Sequence, residues 1–176
     1  MMSGQPLEIE RKYLIRRPER ALLDSLASEI WELEQVYLRR GEDGADRRIR
    51  RCGDGRCWYT EKWKLTDLRR IEREREISTE EYAALLSEAD GALHPIRKTR
   101  WRIPWQGVLL EVDLFPFWEH QAFCEIELPD ETAAVALPDW AELLREVTDD
   151  PAYTNYALAG AIPPEDGAER KNERNA

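Results

Sequence analysis

At 176 residues and 42% hydrophobic content, the chain fits one domain with a sizeable core rather than a disordered segment. A formal net charge of −10 argues against a general nucleic-acid or anionic-membrane surface, and no stretch approaches the ~20 apolar residues that span a bilayer. Three cysteines without a disulfide framework, and no basic segment followed by an apolar run, make a cytoplasmic location the expectation.

The first predicted strand, residues 7–15, reads LEIERKYLI. Side chains alternate with period two, so Leu7, Ile9, Tyr13 and Ile15 share one face while Glu8, Glu10 and Lys12 share the other. A short amphipathic helix follows in RRPERALLDSLAS, where Leu22, Leu23 and Leu26 supply the apolar stripe. Strands are then expected over 34–40, 47–52 and 56–65. Between the last two, GDGR reads as a hairpin turn that brings Cys52 and Cys57 near each other across two strands; a metal site at that pair is disfavoured, because such sites generally need four ligands. After a strand at 70–77, STEEYAALLSEAD begins a second helix, with Ser78 or Thr79 as cap and Glu80 and Glu81 at its positive end. Strands follow at 96–103, 108–115 and 122–128, then a third helix after Pro138 in DWAELLREV. His94 and His120 read as loop and turn residues. The polar ending over 163–176 reads as a disordered tail beyond a domain covering 1–162.

Eight strands joined by short turns suit a small antiparallel barrel with helices outside, an α+β fold. The alternation seen in the first strand recurs in the others. Glu72, Glu74 and Glu76 share a face, as do Glu111 with Asp113 and Glu125 with Glu127. Lys98, Arg100 and Arg102 stand opposite Trp101 and Ile103; Arg48 and Arg50 flank Ile49, and Lys62 and Lys64 flank Trp63. A solvated sheet face mixes signs, whereas here acids dominate four strands and bases three. Turned inward, such faces line a tunnel whose carboxylates call for a divalent metal and whose cations call for a polyanion. A metal-bound polyphosphate satisfies both halves, since Arg and Lys match phosphate oxygens and hard Mg²⁺ or Mn²⁺ prefers carboxylate oxygen. The seven tryptophans are assigned to core and helix-to-barrel packing rather than to stacking platforms.

The motif ExExK at Glu8, Glu10 and Lys12, followed in order by VYLRR, RRIRR, YTEKWK, RIEREREIS, IRKTRW, LLEVDLF, CEIEL and EVTDDPAYTNYALA, resembles the CYTH superfamily, the triphosphate tunnel metalloenzymes. The resemblance spans about residues 7–160. It implies an eight-stranded antiparallel tunnel with a charged interior. It also implies metal ligation by Glu8, Glu10, Asp113, Glu125 and Glu127, with Glu72, Glu74 and Glu111 as neighbouring acids. Lys12, Arg48, Arg50, Lys62, Lys98 and Arg100 match positions that grip a triphosphate; Arg39 and Arg70 match more weakly. Lys64 departs from the family's pattern. The short EIERK form looks most like inorganic triphosphatases, with Mg²⁺ or Mn²⁺ as cofactor and a triphosphate small molecule as partner. Alternatives are a class IV adenylate cyclase, a thiamine triphosphatase, or a non-catalytic polyphosphate or nucleotide-binding module. The expected reaction is hydrolysis of tripolyphosphate to pyrophosphate and phosphate, with Lys12 and Tyr37 as a candidate pair for removing a proton from water.

Overall fold

Strand β1 (Leu7–Arg16) has two neighbours along its length, and this closes the sheet. In the computed structural model, which describes residues 7–166, Glu10 to Arg16 pair antiparallel with β8 (Gln121–Glu127), while Leu7, Ile9 and Glu8 between them pair with β5 (Arg69–Ile77). The intervening strands are β2 (Glu29–Tyr37), β3 (Asp46–Cys52), β4 (Cys57–Lys64), β6 (Ile96–Trp105) and β7 (Val108–Leu114). The order β5-β4-β3-β2-β6-β7-β8-β1, with β1 returning to β5, is the expected closed antiparallel barrel of eight strands.

Helix α1 (Arg20–Leu26) and helix α2 (Thr79–Leu85) lie outside, as expected. Ser78 caps α2 by accepting the Glu81 N–H at 3.0 Å. The third expected helix is not there. Part of DWAELLREV forms β9 (Leu143–Glu146), which adds to the outside of β1 against Tyr13, Leu14 and Ile15. The free edge of β1 beyond its short pairing with β5 offers unpaired backbone groups, and satisfying these outweighs the segment's helical pattern. A helix that the periodicity did not signal, α3 (Asn155–Gly160), follows a tight turn at Pro151–Tyr153.

Three apolar clusters fix these elements. One lies between the barrel wall and its covering segments, with Trp101, Ile103, Leu110 and Ile126 in the wall and Leu23 from α1. A second gathers Val36, Leu38, Ile49 and Cys57 beneath Tyr82 of α2. The third closes one end of the barrel: Leu14, Tyr37 and Phe123 pack with Phe115, Trp118, Tyr153 and Leu158. Edge-to-face contacts among Phe115, Trp118 and Phe123, at centroid separations of 5.0 to 5.5 Å, pin this plug.

The GDGR hairpin forms, with Gly55 at φ +92°. Its register places Cys57 opposite Arg51, not Cys52, and all three cysteines are free and buried. Of the expected tail, residues 163–166 are fastened: the Glu165 carboxylate accepts the N–H groups of Glu119 and His120, and the Asp166 N–H donates to Gln121 at 2.9 Å. The remainder, 167–176, lies outside the described residues. Among the described residues no helix is long and apolar enough to cross a membrane.

Candidate active site

Cross-strand register carries the charged parity around the whole interior. Arg50 stands opposite Gln35 and Trp58, Lys62 opposite Glu72, Arg100 opposite Asp113, Glu111 opposite Glu125, and Glu125 and Glu127 opposite Lys12 and Glu10. The charges of LEIERKYLI therefore face inward. They enclose a cavity of about 450 Å³ whose wall includes Glu8, Glu10, Arg48, Arg50, Lys62, Glu72, Glu74, Arg100, Glu111, Glu125 and Glu127. A smaller space of about 90 Å³ shares Glu10, Arg48, Lys62 and Asn155 with it and is also lined by Lys12 and Tyr37. Of the expected site residues, Lys98 and Asp113 sit deeper in the wall, joined at 2.5 Å with side chains 1% and 0% exposed.

Most of these acids face a cation. Arg100 donates to both oxygens of Asp113 and to Glu111; Arg50 donates to Glu74; Arg70 donates to Glu10; and Lys12 lies 3.3 Å from Glu125. Lys62 lies between Glu8 and Glu72, with its ammonium 2.7 and 2.8 Å from their carboxylate oxygens, and neutralises both.

The electrostatics follow. Burial alone would raise the Glu125 carboxyl, but Lys12, Arg100 and Lys98 outweigh it and hold the group well below the usual range. Burial likewise opposes Glu72, yet Lys62 and Arg48 draw it down to about 2. Lys98 goes the other way: burial, then the charge of Arg100, push it to about 8 against the pull of Asp113 and Glu125. Glu127 differs from the other acids, for it is raised by burial and then by Glu8, Glu111 and Glu72, with only Arg102 opposing. Glu127 therefore marks an excess of negative charge at the exposed end of β8.

The cationic side has a matching deficit. The Nε atoms of Arg48 and Arg50 are buried with no hydrogen-bond acceptor, whereas that of Arg102 faces Glu111 at 3.4 Å. Buried guanidinium donors are normally satisfied, so the first two ask for an anion in the cavity. The acids offer only carboxylate oxygen, the donor type that suits a hard divalent cation. Among the described residues, no three His, Cys, Asp or Glu side chains already stand together as an ion's ligands, because most of the carboxylates are turned toward cations. The donor set fits such a cation in chemistry, and an entering ion competes with those pairs.

Tyr37 and Lys12 line the same small space but have separate partners. Tyr37 accepts from Gln35 at 3.4 Å and packs edge-on against Tyr156, while the Lys12 ammonium donates to the Tyr153 carbonyl at 3.3 Å and lies over Phe123. Lys64 pairs with Asp67 and also lines the smaller space, and Arg39 is exposed and lines neither space. Sequence reasoning left several lining residues out of the site, among them Leu7, Arg102, Asn155 and Trp31. Asn155 comes from the unforeseen α3, and Trp31 comes from β2, which begins at Glu29 rather than at 34. Parity counted back from Tyr37 and Gln35 would have placed Trp31 on the inner face.

Comparison with known proteins agrees with this geometry. The family model described as the CYTH domain matches residues 6–150. The chain is 37% identical over 153 residues to an inorganic triphosphatase of Acetivibrio thermocellus, covering 86% of this chain and 92% of that protein. It is 31% identical over 161 residues to an inorganic triphosphatase of Nitrosomonas europaea, covering 89% and 99%. Among solved structures, the crystal structure of an inorganic triphosphatase aligns with a TM-score of 0.55 at 30% identity, over 89% of this chain and 97% of the other.

Proposed function

Since the chain belongs to the CYTH domain family, we propose that it is a divalent-metal-dependent triphosphatase that hydrolyses tripolyphosphate to pyrophosphate and phosphate. The observation that carries this reading is the pairing, in one cavity, of buried arginine donors lacking acceptors with a carboxylate cluster carrying excess negative charge at Glu127. A polyanion answers the first deficit and a divalent cation the second.

Glu8, Glu10, Glu125 and Glu127 would hold Mg²⁺ or Mn²⁺, with Glu72, Glu74 and Glu111 beside them, while Asp113, expected among the ligands, has both oxygens engaged by Arg100 and Lys98 behind the cavity. Held there, such an ion would neutralise phosphate oxygens and make the attacking water more acidic. Arg48, Arg50, Lys62 and Arg100 hold the phosphate chain from one wall, so that the phosphoanhydride bond presents its terminal phosphorus to water. Water adds to that phosphorus, the bridging oxygen leaves with pyrophosphate, and the water's proton passes to solvent or to a carboxylate. Lys98, locked to Asp113, the carboxylate it shares with Arg100, maintains the positive potential behind the site. We assign Lys12 to grip rather than to proton removal, since its ammonium is shared between Glu125 and the Tyr153 carbonyl. The aromatic plug around Phe123 and Tyr153 excludes water from that end.

A non-catalytic anion binder would have no use for carboxylates that repel one another around Glu127. The test is phosphate release from tripolyphosphate, pyrophosphate and ATP with Mg²⁺ or Mn²⁺. Release of one phosphate per tripolyphosphate, with pyrophosphate accumulating, supports the assignment; binding without release would replace it with the binder.

A further inference from the structure

Asn155 stands where the two interior spaces meet. It is the first residue of α3, and it lines both the main cavity and the smaller space of about 90 Å³ beside Lys12 and Tyr37. Its carboxamide oxygen Oδ1 is buried and, among the described residues, has no hydrogen-bond partner. A buried acceptor without a donor costs free energy, so a group that enters the interior has to answer it.

Neighbouring contacts fix the main chain here. Thr154 caps α3 by accepting the Ala157 N–H at 3.0 Å, and Tyr156 packs edge-on against Tyr37 with Arg40 over its ring at 4.0 Å. Leu158 and Ala159 are buried in the aromatic plug. The carboxamide of Asn155 is thereby kept at the junction.

Its missing partner is not a phosphate, whose ionised oxygens only accept. A divalent ion is disfavoured in the small space, because five cations line it against two acids, Glu10 and Asp46, which Arg70 and Arg40 already hold. Water meets both conditions. The space has room for a few waters, and the cations around it favour loss of a water's proton. Arg48 and Lys62 also belong to both spaces, so a phosphate chain gripped in the main cavity ends beside the small one. Water from the small space then reaches the terminal phosphorus from the side opposite the rest of the chain, as in-line displacement requires.

We propose that Asn155 holds the attacking water in the small space. This rests on the triphosphatase reading of the cavity. Oδ1 accepts one hydrogen of the water, which turns a lone pair of its oxygen toward the terminal phosphorus. The new O–P bond forms as the bridging P–O bond breaks, and that electron pair leaves with pyrophosphate. The water's other hydrogen departs as a proton to solvent or to a carboxylate, and Asn155 itself neither gains nor loses one.

The experiment measures kcat and KM for tripolyphosphate, and the Mg²⁺ or Mn²⁺ concentration giving half-maximal rate, in wild type, Asn155→Ala and Asn155→Asp. Loss of one hydrogen bond to the nucleophile predicts a roughly tenfold lower kcat for Asn155→Ala, with KM and the metal requirement within about twofold of wild type. Asn155→Asp keeps an acceptor at the same place and should recover most of kcat, with melting temperatures alike in all three proteins. An amide that gripped phosphate through its N–H groups would instead make KM higher in Asn155→Asp than in Asn155→Ala, and one that bound the ion would make Asn155→Ala need more metal. Either result, or an unchanged kcat in Asn155→Ala, overturns the assignment and leaves tripolyphosphate hydrolysis standing. If Asn155→Ala does not fold, Asn155→Ser, too short to reach the same water, takes its place. Should wild type hydrolyse no tripolyphosphate, the triphosphatase reading falls and the role of Asn155 falls with it.

Discussion

Arg100 and Asp113 are direct cross-strand partners on β6 and β7, and the guanidinium donates from Nε and Nη2 to the two carboxylate oxygens at 2.6 and 2.7 Å. Lys98 adds a third donor to the same fully buried carboxylate. Removing one member of such a group leaves uncompensated charge in the wall. Asp113→Asn should therefore cost about 3–5 kcal/mol of stability, read as a lower denaturant midpoint with an unchanged slope. A wild-type midpoint would show that this cluster does not hold the barrel.

Glu127→Gln should behave oppositely. The folded state raises this carboxyl, so the folded chain binds its proton more readily than the unfolded chain does, and stability is gained as pH falls through the raised value. At neutral pH the charge is a liability of the metal-free protein. The variant should keep or improve metal-free stability while losing roughly a hundredfold in turnover, the scale of removing one electrostatic catalytic element. Thermal melts in a chelator and initial rates check the two halves, and a destabilised variant with normal rates contradicts both.

Acid should unfold the empty barrel through Glu72. Its folded value of about 2 lies below the ordinary 4.5, so its contribution is complete above pH 4.5 and is lost as pH falls toward about 2. Each unit of depression corresponds to ~1.4 kcal/mol. Denaturant unfolding at intervals between pH 5 and pH 2 should show a shallower loss of stability for Glu72→Gln than for wild type. Parallel curves would mean that Lys62 and Arg48 do not stabilise the ionised form.

The barrel was legible because alternation is local. Glu8, Glu10 and Lys12 declare their common face within five residues, and the same parity test places Glu111 with Asp113 and Lys98 with Arg100. What periodicity missed depends on distant partners. Leu143 to Glu146 carry a helical pattern but become β9 because β1 offers an edge there. Asn155 reaches the cavity only because α3 packs into the barrel end. Trp31 was assigned to packing because the expected strand began three residues after it; once β2 is extended to Glu29, its parity is plain. The plug at Phe123 was likewise hidden, since apolar residues on an otherwise charged face gain meaning only when Tyr153 and Leu158 cover them.

Arg50 isolates substrate grip from folding, because its acceptor Glu74 retains solvent contact and its Nε has no partner. Arg50→Ala should raise KM for tripolyphosphate tenfold or more, since a charge-assisted hydrogen bond contributes about 1.5–3 kcal/mol, with little change in melting temperature. Steady-state kinetics with unchanged KM and kcat would remove this wall from the site.

The most direct test of the account measures phosphate release from tripolyphosphate by the purified chain with Mg²⁺ or Mn²⁺, with excess chelator, and with Glu127→Gln in the presence of metal. The account predicts turnover with metal, none with chelator, full recovery on adding metal back, and about a hundredfold loss in the variant. Equal rates with metal and with chelator, or a fully active Glu127→Gln, would contradict a tunnel whose carboxylates hold the catalytic ion.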